Sequence, residues 1–167
     1  MKPSVLVAGM GDASSGDAGF GGAVVRRIGQ TSPPKWVRAA DYGTAGMHLA
    51  LDLLEGYETT VLVDVRSAGA APGSLCLREL GGACEQDADG VAGTTGTHAD
   101  VVLDLLHLLG GKAGRVLALD CEPAGTAGGR GLSEPVRRAV PEAVHAIQQL
   151  VEQEQSRVVQ RALSLEV

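Results

Sequence analysis

Short, continuously apolar segments alternate with helical segments, and this alternation constrains the fold of the chain more than any other sequence feature. The apolar segments are residues 5–8 and the apolar centres of the strand candidates 59–65 and 115–119, whereas residues 24–28 and 100–109 carry apolar side chains at helical spacing. Continuous apolar strands are typical of parallel sheets that helices cover on both faces. The sequence therefore predicts an α/β three-layer sandwich with a mostly parallel, twisted central sheet and helices on both faces.

The remaining elements are expected to complete a single domain over residues 1–167. Residues 36–40 are a second strand candidate, and residues 74–80 alternate as an edge strand would. Ser133 is expected to cap a final helix, with Glu134 near its positive end. The polar tail after Gln153 is expected to fray.

Charge and composition exclude several classes of protein. The formal net charge is −6, which disfavours binding to phosphate backbones, so no nucleic-acid partner is expected. No apolar run approaches the roughly 18 residues that span a bilayer, and the amino terminus lacks a signal-peptide pattern, so we expect a cytoplasmic protein without a membrane partner. Cys76, Cys84 and Cys121 are odd in number and form no CxxC pair, which disfavours a disulfide framework or a zinc site.

The carboxyl ends of parallel strands meet at one edge of a sheet, where α/β proteins bind their ligands. Asp17, Asp41 and Asp64 lie in loops at this edge, and we expect them to converge on one crevice. Clustered carboxylates indicate a functional site, commonly one that receives a cation. The loops that end there are residues 9–22, 41–46 and 64–73, with residues 122–131 as a long glycine-rich flap.

The first of these loops is glycine-rich but does not fit a nucleotide site. In a GxGxxG fingerprint starting at Gly9, the third glycine is replaced by Ser14. In a phosphate-binding loop starting at Gly11, Asp17 and Ala18 stand where Lys and Ser or Thr are required. A carboxylate at a phosphate-binding helix end repels the ligand, so the loop favours a cation.

Histidine and cysteine supply further candidates. His98 precedes a helix at the same edge and is a candidate metal ligand or proton carrier, or else a solvated helix-start residue. His107 and His145 fit surface or structural roles, and His48 is a weak candidate. Cys121 ends a strand without a nearby histidine, so we interpret it as a packed thiol rather than a nucleophile.

Five segments in order resemble the hydrogenase maturation proteases, which trim the carboxyl-terminal tail of the large subunit of nickel–iron hydrogenases. The segments are VLVAGMGDASSGDAGFG at 5–21, DYGTAG at 41–46, VLVDV and APG within 61–73, LDCEP at 119–123 and GLSEPV at 131–136. The resemblance implies a hydrolase, an endopeptidase of aspartic or metal-dependent type, whose site contacts nickel already installed in its substrate.

The resemblance also implies the residues of the site. It assigns Asp64 as the aspartate after the third strand, with His98 and Asp17 as the other catalytic and metal-contacting residues. The family's acidic ligand in the first loop falls at Ala18, and its histidine falls near residues 94–95, so Asp17 and His98 would substitute for them. The loop with Asp41, Gly43, Thr44 and Gly46 would recognise the substrate.

Two functions of different classes follow from these residues. In the first, the chain is a divergent peptidase that processes a [NiFe]-hydrogenase large-subunit precursor. In the second, it is a non-catalytic relative that binds the same precursor as an assembly factor. A small-molecule binding module is a third, more distant reading. Carboxylate and imidazole ligands suit nickel, but one sure ligand is too few to retain it, so we expect no tightly bound cofactor and a monomer or weak homo-oligomer.

Overall fold

The computed structural model describes residues 4–80, 98–125 and 130–165. Five strands and four helices alternate along these residues. The strands are β1 (Val5–Met10), β2 (Val37–Gly43), β3 (Thr59–Val65), β4 (Leu75–Leu80) and β5 (Arg115–Cys121). The helices are α1 (Phe20–Gln30), α2 (Gly46–Leu53), α3 (His98–Leu108) and α4 (Glu134–Leu165), and a short 3-10 helix spans Gly16–Gly19.

The five strands form one sheet in the order β2-β1-β3-β5-β4. Four strands are parallel, and β4 pairs with β5 in the antiparallel direction at the edge. The predicted three-layer sandwich and the edge strand are confirmed. Because the four parallel strands point the same way, their carboxyl ends share one edge of the sheet.

Side chains alternate between the two faces of each strand, and each face packs on a different pair of helices. Helices α1 and α4 cover the first face, which includes Val7, Val63 and Leu119. Helices α2 and α3 cover the second face, which includes Leu6, Leu62 and Val116. This parity determines which polar residues at the strand ends can meet.

Glycines in the first loop allow α1 to approach the sheet closely. A Cβ atom at Gly21 would lie 2.3 Å from the Val63 carbonyl oxygen and 2.6 Å from the Met10 carbonyl oxygen. A Cβ atom at Gly9 would lie 2.6 Å from the Gly21 carbonyl oxygen. The helix therefore begins in direct contact with the backbones of β1 and β3, and these glycines serve packing.

The last helix differs from expectation in two respects. It extends to Leu165, past Gln153, and of its final residues Glu154 is buried and accepts a hydrogen bond from the Thr59 hydroxyl at 2.8 Å. Ser133 does precede the first helical residue, but its hydroxyl donates to Asp17 at 2.9 Å. Within residues 4–80, 98–125 and 130–165, no helix has the length and apolar character needed to cross a membrane.

Candidate active site

Three loops meet at the carboxyl edge of the sheet. Gly11, after β1, donates its backbone N–H to the Gly43 carbonyl oxygen at the end of β2, at 2.9 Å. The Cβ position of Gly11 lies 3.3 Å from Asp64 Oδ1 near the end of β3 and 2.2 Å from the Ala18 carbonyl oxygen. Gly11 also has a φ of 107°, which favours glycine. The first loop therefore lies directly against Asp64.

Asp64 and His98 form a close pair at this edge. His98 is the first residue of α3, and its Nδ1 lies 2.6 Å from Asp64 Oδ2. The Asp64 side chain is only 13% exposed, whereas that of His98 is 55% exposed. The structure thus brings together two of the three site residues expected from the sequence, with the imidazole facing outward.

Burial is the main cause that raises the pKa of Asp64 above its usual value. The hydrogen bond from His98 and that from the Val65 N–H oppose this rise, whereas the nearby Asp120 carboxylate adds to it. An activity that needs the Asp64 carboxylate is lost as the pH falls through this raised pKa. The acid limb of activity should therefore lie above the range of an ordinary aspartate.

We predict that His98→Gln raises the pKa of Asp64 further, because it removes the interactions that favour the carboxylate. Carbon-13 NMR titration of the Asp64 carboxyl measures this shift independently of activity. His107→Gln, an exposed change near the other end of α3, should leave it unchanged. An Asp64 pKa that stays the same or falls in His98→Gln would show that the pair is not formed in solution.

Asp41 lies on the opposite face of the sheet, so the predicted convergence of three carboxylates is wrong for this residue. It shares its face with Val37 and Ala39, which pack with α1 and α4. Its Oδ2 lies 3.7 Å from Arg26 Nη1 of α1, and its Oδ1 accepts the Gly43 N–H at 3.0 Å. Strand alternation explains the error, because Asp64 has the other parity, that of Leu62.

Asp17 also turns away from Asp64, which corrects its expected place beside Asp64 and His98. Its carboxylate accepts hydrogen bonds from the Ala124 N–H at 2.9 Å, the Ser133 N–H at 2.7 Å and the Ser133 hydroxyl. Its side chain also borders a shallow cavity, and Asp64 and His98 are absent from the described lining of that cavity. Neighbouring side chains in the 3-10 turn point in different directions, so Asp17 does not replace a ligand at position 18. Its hydrogen bonds with Ser133 instead join the first loop to the start of α4.

Burial alone raises the pKa of Asp17, but the hydrogen bonds from Ser133 and Ala124 outweigh it and hold the pKa below its usual value. The stability that this carboxylate contributes is therefore present at neutral pH. It is lost as the pH falls through the folded-state pKa.

Asp17→Asn should lower the free energy of unfolding by about 1–3 kcal/mol, because the amide presents N–H groups to backbone donors. Urea denaturation measures this change. Asp12→Asn is the matched control: Asp12 is exposed in the same loop, and an amide oxygen can still accept the Ser14 N–H. If Asp17→Asn leaves stability unchanged but weakens contact with nickel, Asp17 belongs to the metal site after all.

The described residues offer few side-chain ligands for a metal ion at this site. Over residues 4–80, 98–125 and 130–165, no group of three His, Cys, Asp or Glu side chains is arranged to hold one. The Ala18 carbonyl oxygen lies against Gly11, which also contacts Asp64, but Ala18 offers no side-chain oxygen. Residues 94–95, where the family histidine was expected, fall outside the described residues, as does Cys84. Asp64 and His98 are thus two donors that can share an ion held mainly by other ligands.

The burial of Cys121 and the exposure of the three remaining histidines agree with the roles expected from the sequence. Cys121 is fully buried, and burial raises the pKa of its thiol to about 12, with Asp17 adding to the effect. Such a thiol is a poor nucleophile at neutral pH. His48, His107 and His145 are exposed. In the loop proposed to recognise the substrate, Thr44 is exposed and Gly46 is the first residue of α2. The role of this loop in binding stays a prediction.

Glu122 is a positioning residue that the sequence analysis missed. Its buried carboxylate accepts the Ala68 N–H at 2.8 Å and the Gly69 N–H at 3.3 Å. It therefore fixes the loop that follows Asp64. The start of the predicted flap at 122–131 is held by Glu122 and by the Ala124 N–H, and residues 126–129 are outside the described part. The available signal was the LDCEP motif, which places Glu122 directly after the end of β5.

Fold and site together define an α/β domain with a carboxylate–histidine pair at the carboxyl edge of its sheet. A family model described as hydrogenase maturation protease matches residues 23–150. The chain therefore belongs to the hydrogenase maturation protease family, and the assignment made from the sequence motifs is confirmed.

Individual relatives agree with this assignment. The hydrogenase expression/formation protein HupD of Rhodobacter capsulatus is 41% identical over 76 residues, an alignment that spans 44% of this chain and 36% of that protein. The solved hydrogenase 2 maturation peptidase from Thaumarchaeota archaeon SCGC_AB-539-E09 is 30% identical, with a TM-score of 0.68, covering 89% of this chain and 97% of that one. The hydrogenase maturating endopeptidase HybD from E. coli shares the fold, with a TM-score of 0.73, 21% identity and coverage of 92% and 94%.

Proposed function

We propose that this chain is an endopeptidase that removes the carboxyl-terminal extension of a nickel-loaded [NiFe]-hydrogenase large-subunit precursor. The observation that carries the proposal is the Asp64–His98 pair at 2.6 Å, placed at the ligand-binding edge of a hydrogenase maturation protease fold. The His98 imidazole is 55% exposed, so a protein substrate can reach it.

The geometry suggests a division of roles within the pair. With Nδ1 donating to the Asp64 carboxylate, the His98 ring is oriented and its Nε2 is left as an acceptor or ligand. The Asp64 carboxylate has further lone pairs that can interact with the substrate.

Nickel enters this mechanism as part of the substrate. Two donors are too few to hold an ion against water, so the precursor supplies most of the ligands. The ion would polarise the scissile carbonyl or an attacking water, a Lewis-acid role. Correct metal insertion then becomes a condition for cleavage, because an empty precursor gives Asp64 and His98 nothing to contact.

One observation favours the alternative of a non-catalytic assembly factor. Ala18 provides no oxygen at the edge of the site, and Asp17 points elsewhere. A pair with only two donors can contact a metal-loaded precursor without cleaving it. The same precursor experiment separates the two functions.

The experiment is incubation of the chain with nickel-loaded and nickel-free precursor, followed by mass spectrometry. The peptidase proposal expects release of a short carboxyl-terminal peptide from the nickel-loaded form alone. Stable binding without release, unchanged in Asp64→Asn, would support the assembly factor instead.

Ala18→Glu should strengthen nickel or cadmium binding by about tenfold or more, equivalent to about 1.4 kcal/mol, because it adds an oxygen donor beside Asp64. Isothermal titration calorimetry measures the change. Ala13→Glu adds the same charge at an exposed position of the same loop and should leave affinity unchanged. Equal affinities in the two variants would show that the loop presents position 18 away from Asp64.

A further inference from the structure

Strand register places a second carboxylate next to Asp64. Asp64 of β3 pairs with Asp120 of β5, and Asp120 pairs with Cys76 of β4. Paired residues share a face of the sheet, so Asp120 lies on the α2–α3 side together with Asp64. Asp120 is 7% exposed and is a neighbour close enough to raise the pKa of Asp64.

Two arginines converge on Asp120, and they differ in how firmly they are held. Arg78 Nε and Nη2 both lie 2.8 Å from Asp120 Oδ2. Arg66 Nη1 lies 3.9 Å from the same oxygen, beyond hydrogen-bond distance, and the Arg66 side chain is 36% exposed. Among the described residues, Arg78 therefore forms the close ion pair with Asp120, whereas Arg66 interacts with the same carboxylate only through longer-range charge attraction.

The backbone keeps Arg66 beside the candidate site. It follows Asp64 by two residues, and its N–H donates to the Cys121 carbonyl oxygen at 3.0 Å, which extends the β3–β5 ladder by one step. The guanidinium thus stands at the same edge as Asp64 and His98. Its planar donors suit a carboxylate and repel a metal cation.

We propose that Arg66, retained by Asp120, is a subsite for a carboxylate of the peptide that is cleaved. The proposal rests on the peptidase function above and names a feature that its substrate must carry. The carboxylate belongs to an acidic side chain of the extension or to the free carboxyl terminus of the precursor. Arg66 acts in substrate binding, and Asp64 and His98 act at the scissile bond.

Steady-state kinetics of peptide release from the nickel-loaded precursor test this subsite. Arg66→Gln should raise KM by about tenfold or more, the loss expected for a charge-assisted hydrogen bond, with kcat within about twofold. Arg137→Gln removes an equal charge from an exposed ion pair on α4 and should change neither constant. An unchanged KM in Arg66→Gln would overturn the proposal.

Two altered precursors identify the source of the carboxylate. One replaces the acidic residues of the extension with their amides, and the other lengthens the carboxyl terminus with a Gly-Ser tail. One of them should raise KM for the wild-type chain and have no added effect on Arg66→Gln, as expected for coupled groups. Equal effects on both chains would contradict a contact with Arg66.

Direct binding separates failure of the subsite from failure of the peptidase function. If the wild-type chain releases no peptide but binds the precursor more tightly than Arg66→Gln does, the peptidase proposal fails and the subsite stands. If release occurs with equal KM in both chains, the subsite fails and the peptidase proposal stands. If the wild-type chain neither binds nor cleaves the precursor, both fail.

Discussion

Asp64→Asn is expected to reduce peptide release from the nickel-loaded precursor by at least about 100-fold, the scale of losing a catalytic acid–base group. The amide cannot carry the negative charge that orients His98 and faces the substrate's metal. The rate of release, followed by mass spectrometry, measures the effect.

The fold should survive this substitution. Asn has nearly the same volume as Asp, and its side-chain oxygen can still accept the Val65 N–H, now at 2.8 Å from Asp64 Oδ1. Thermal unfolding by circular dichroism should therefore match that of the wild-type chain. Asp104→Asn, an exposed change on α3, is the matched control and should process normally. Near-normal processing by Asp64→Asn would remove Asp64 from the site.

Gly21→Ala is expected to have the largest effect on stability, lowering the free energy of unfolding by about 3 kcal/mol or more. The added methyl group would lie 2.3 Å from the Val63 carbonyl oxygen and 2.7 Å from the Met10 nitrogen, so α1 must move off the sheet. Because the first loop enters the site just before α1, displacement of the helix should also disturb Asp64. Urea denaturation and processing assays measure the two consequences.

Gly29→Ala is a control within the same helix. Nothing lies within 4 Å of its Cβ position, so the substitution should stabilise the chain by about 0.5–1 kcal/mol through helix propensity. Similar destabilisation by both substitutions would show that the close approach of α1 to the sheet is not specific to Gly21.

Much of the fold could be predicted because apolar periodicity reports burial directly. The segment 59–65 has an apolar centre, Val61 to Val63, and the structure places β3 at the same residues 59–65, in the centre of the sheet. The persistence of α4 beyond Gln153 could not be predicted in this way. The first residue past that point, Glu154, is buried against Thr59, 95 residues earlier in the chain.

The site was only partly predictable, because its partners come from distant segments. Asp64 and His98 are 34 residues apart, and only the fold brings them to 2.6 Å. The position of Asp41 could have been predicted correctly, because alternation along the strand places residues 37, 39 and 41 on the same face, the one covered by α1. The orientation of Asp17 was not, because it follows from backbone N–H groups of Ala124 and Ser133, which no side-chain pattern reveals.

Arg66 and Asp120 illustrate a second kind of information that the sequence lacks. Their relation to Asp64 appears only once the register of β3 against β5 is known. Strand register depends on the packing of the whole sheet, since a shift by one residue exchanges the two faces.

Nickel-edge X-ray absorption tests most directly whether Asp64 and His98 contact the metal of the substrate. Nickel-loaded precursor is frozen immediately after mixing with excess chain and compared with the precursor alone. We expect added nitrogen and oxygen scatterers with the wild-type chain and none with an Asp64→Ala, His98→Ala double variant. A spectrum unchanged by the wild-type chain, under conditions where the two proteins form a complex, would contradict the mechanism.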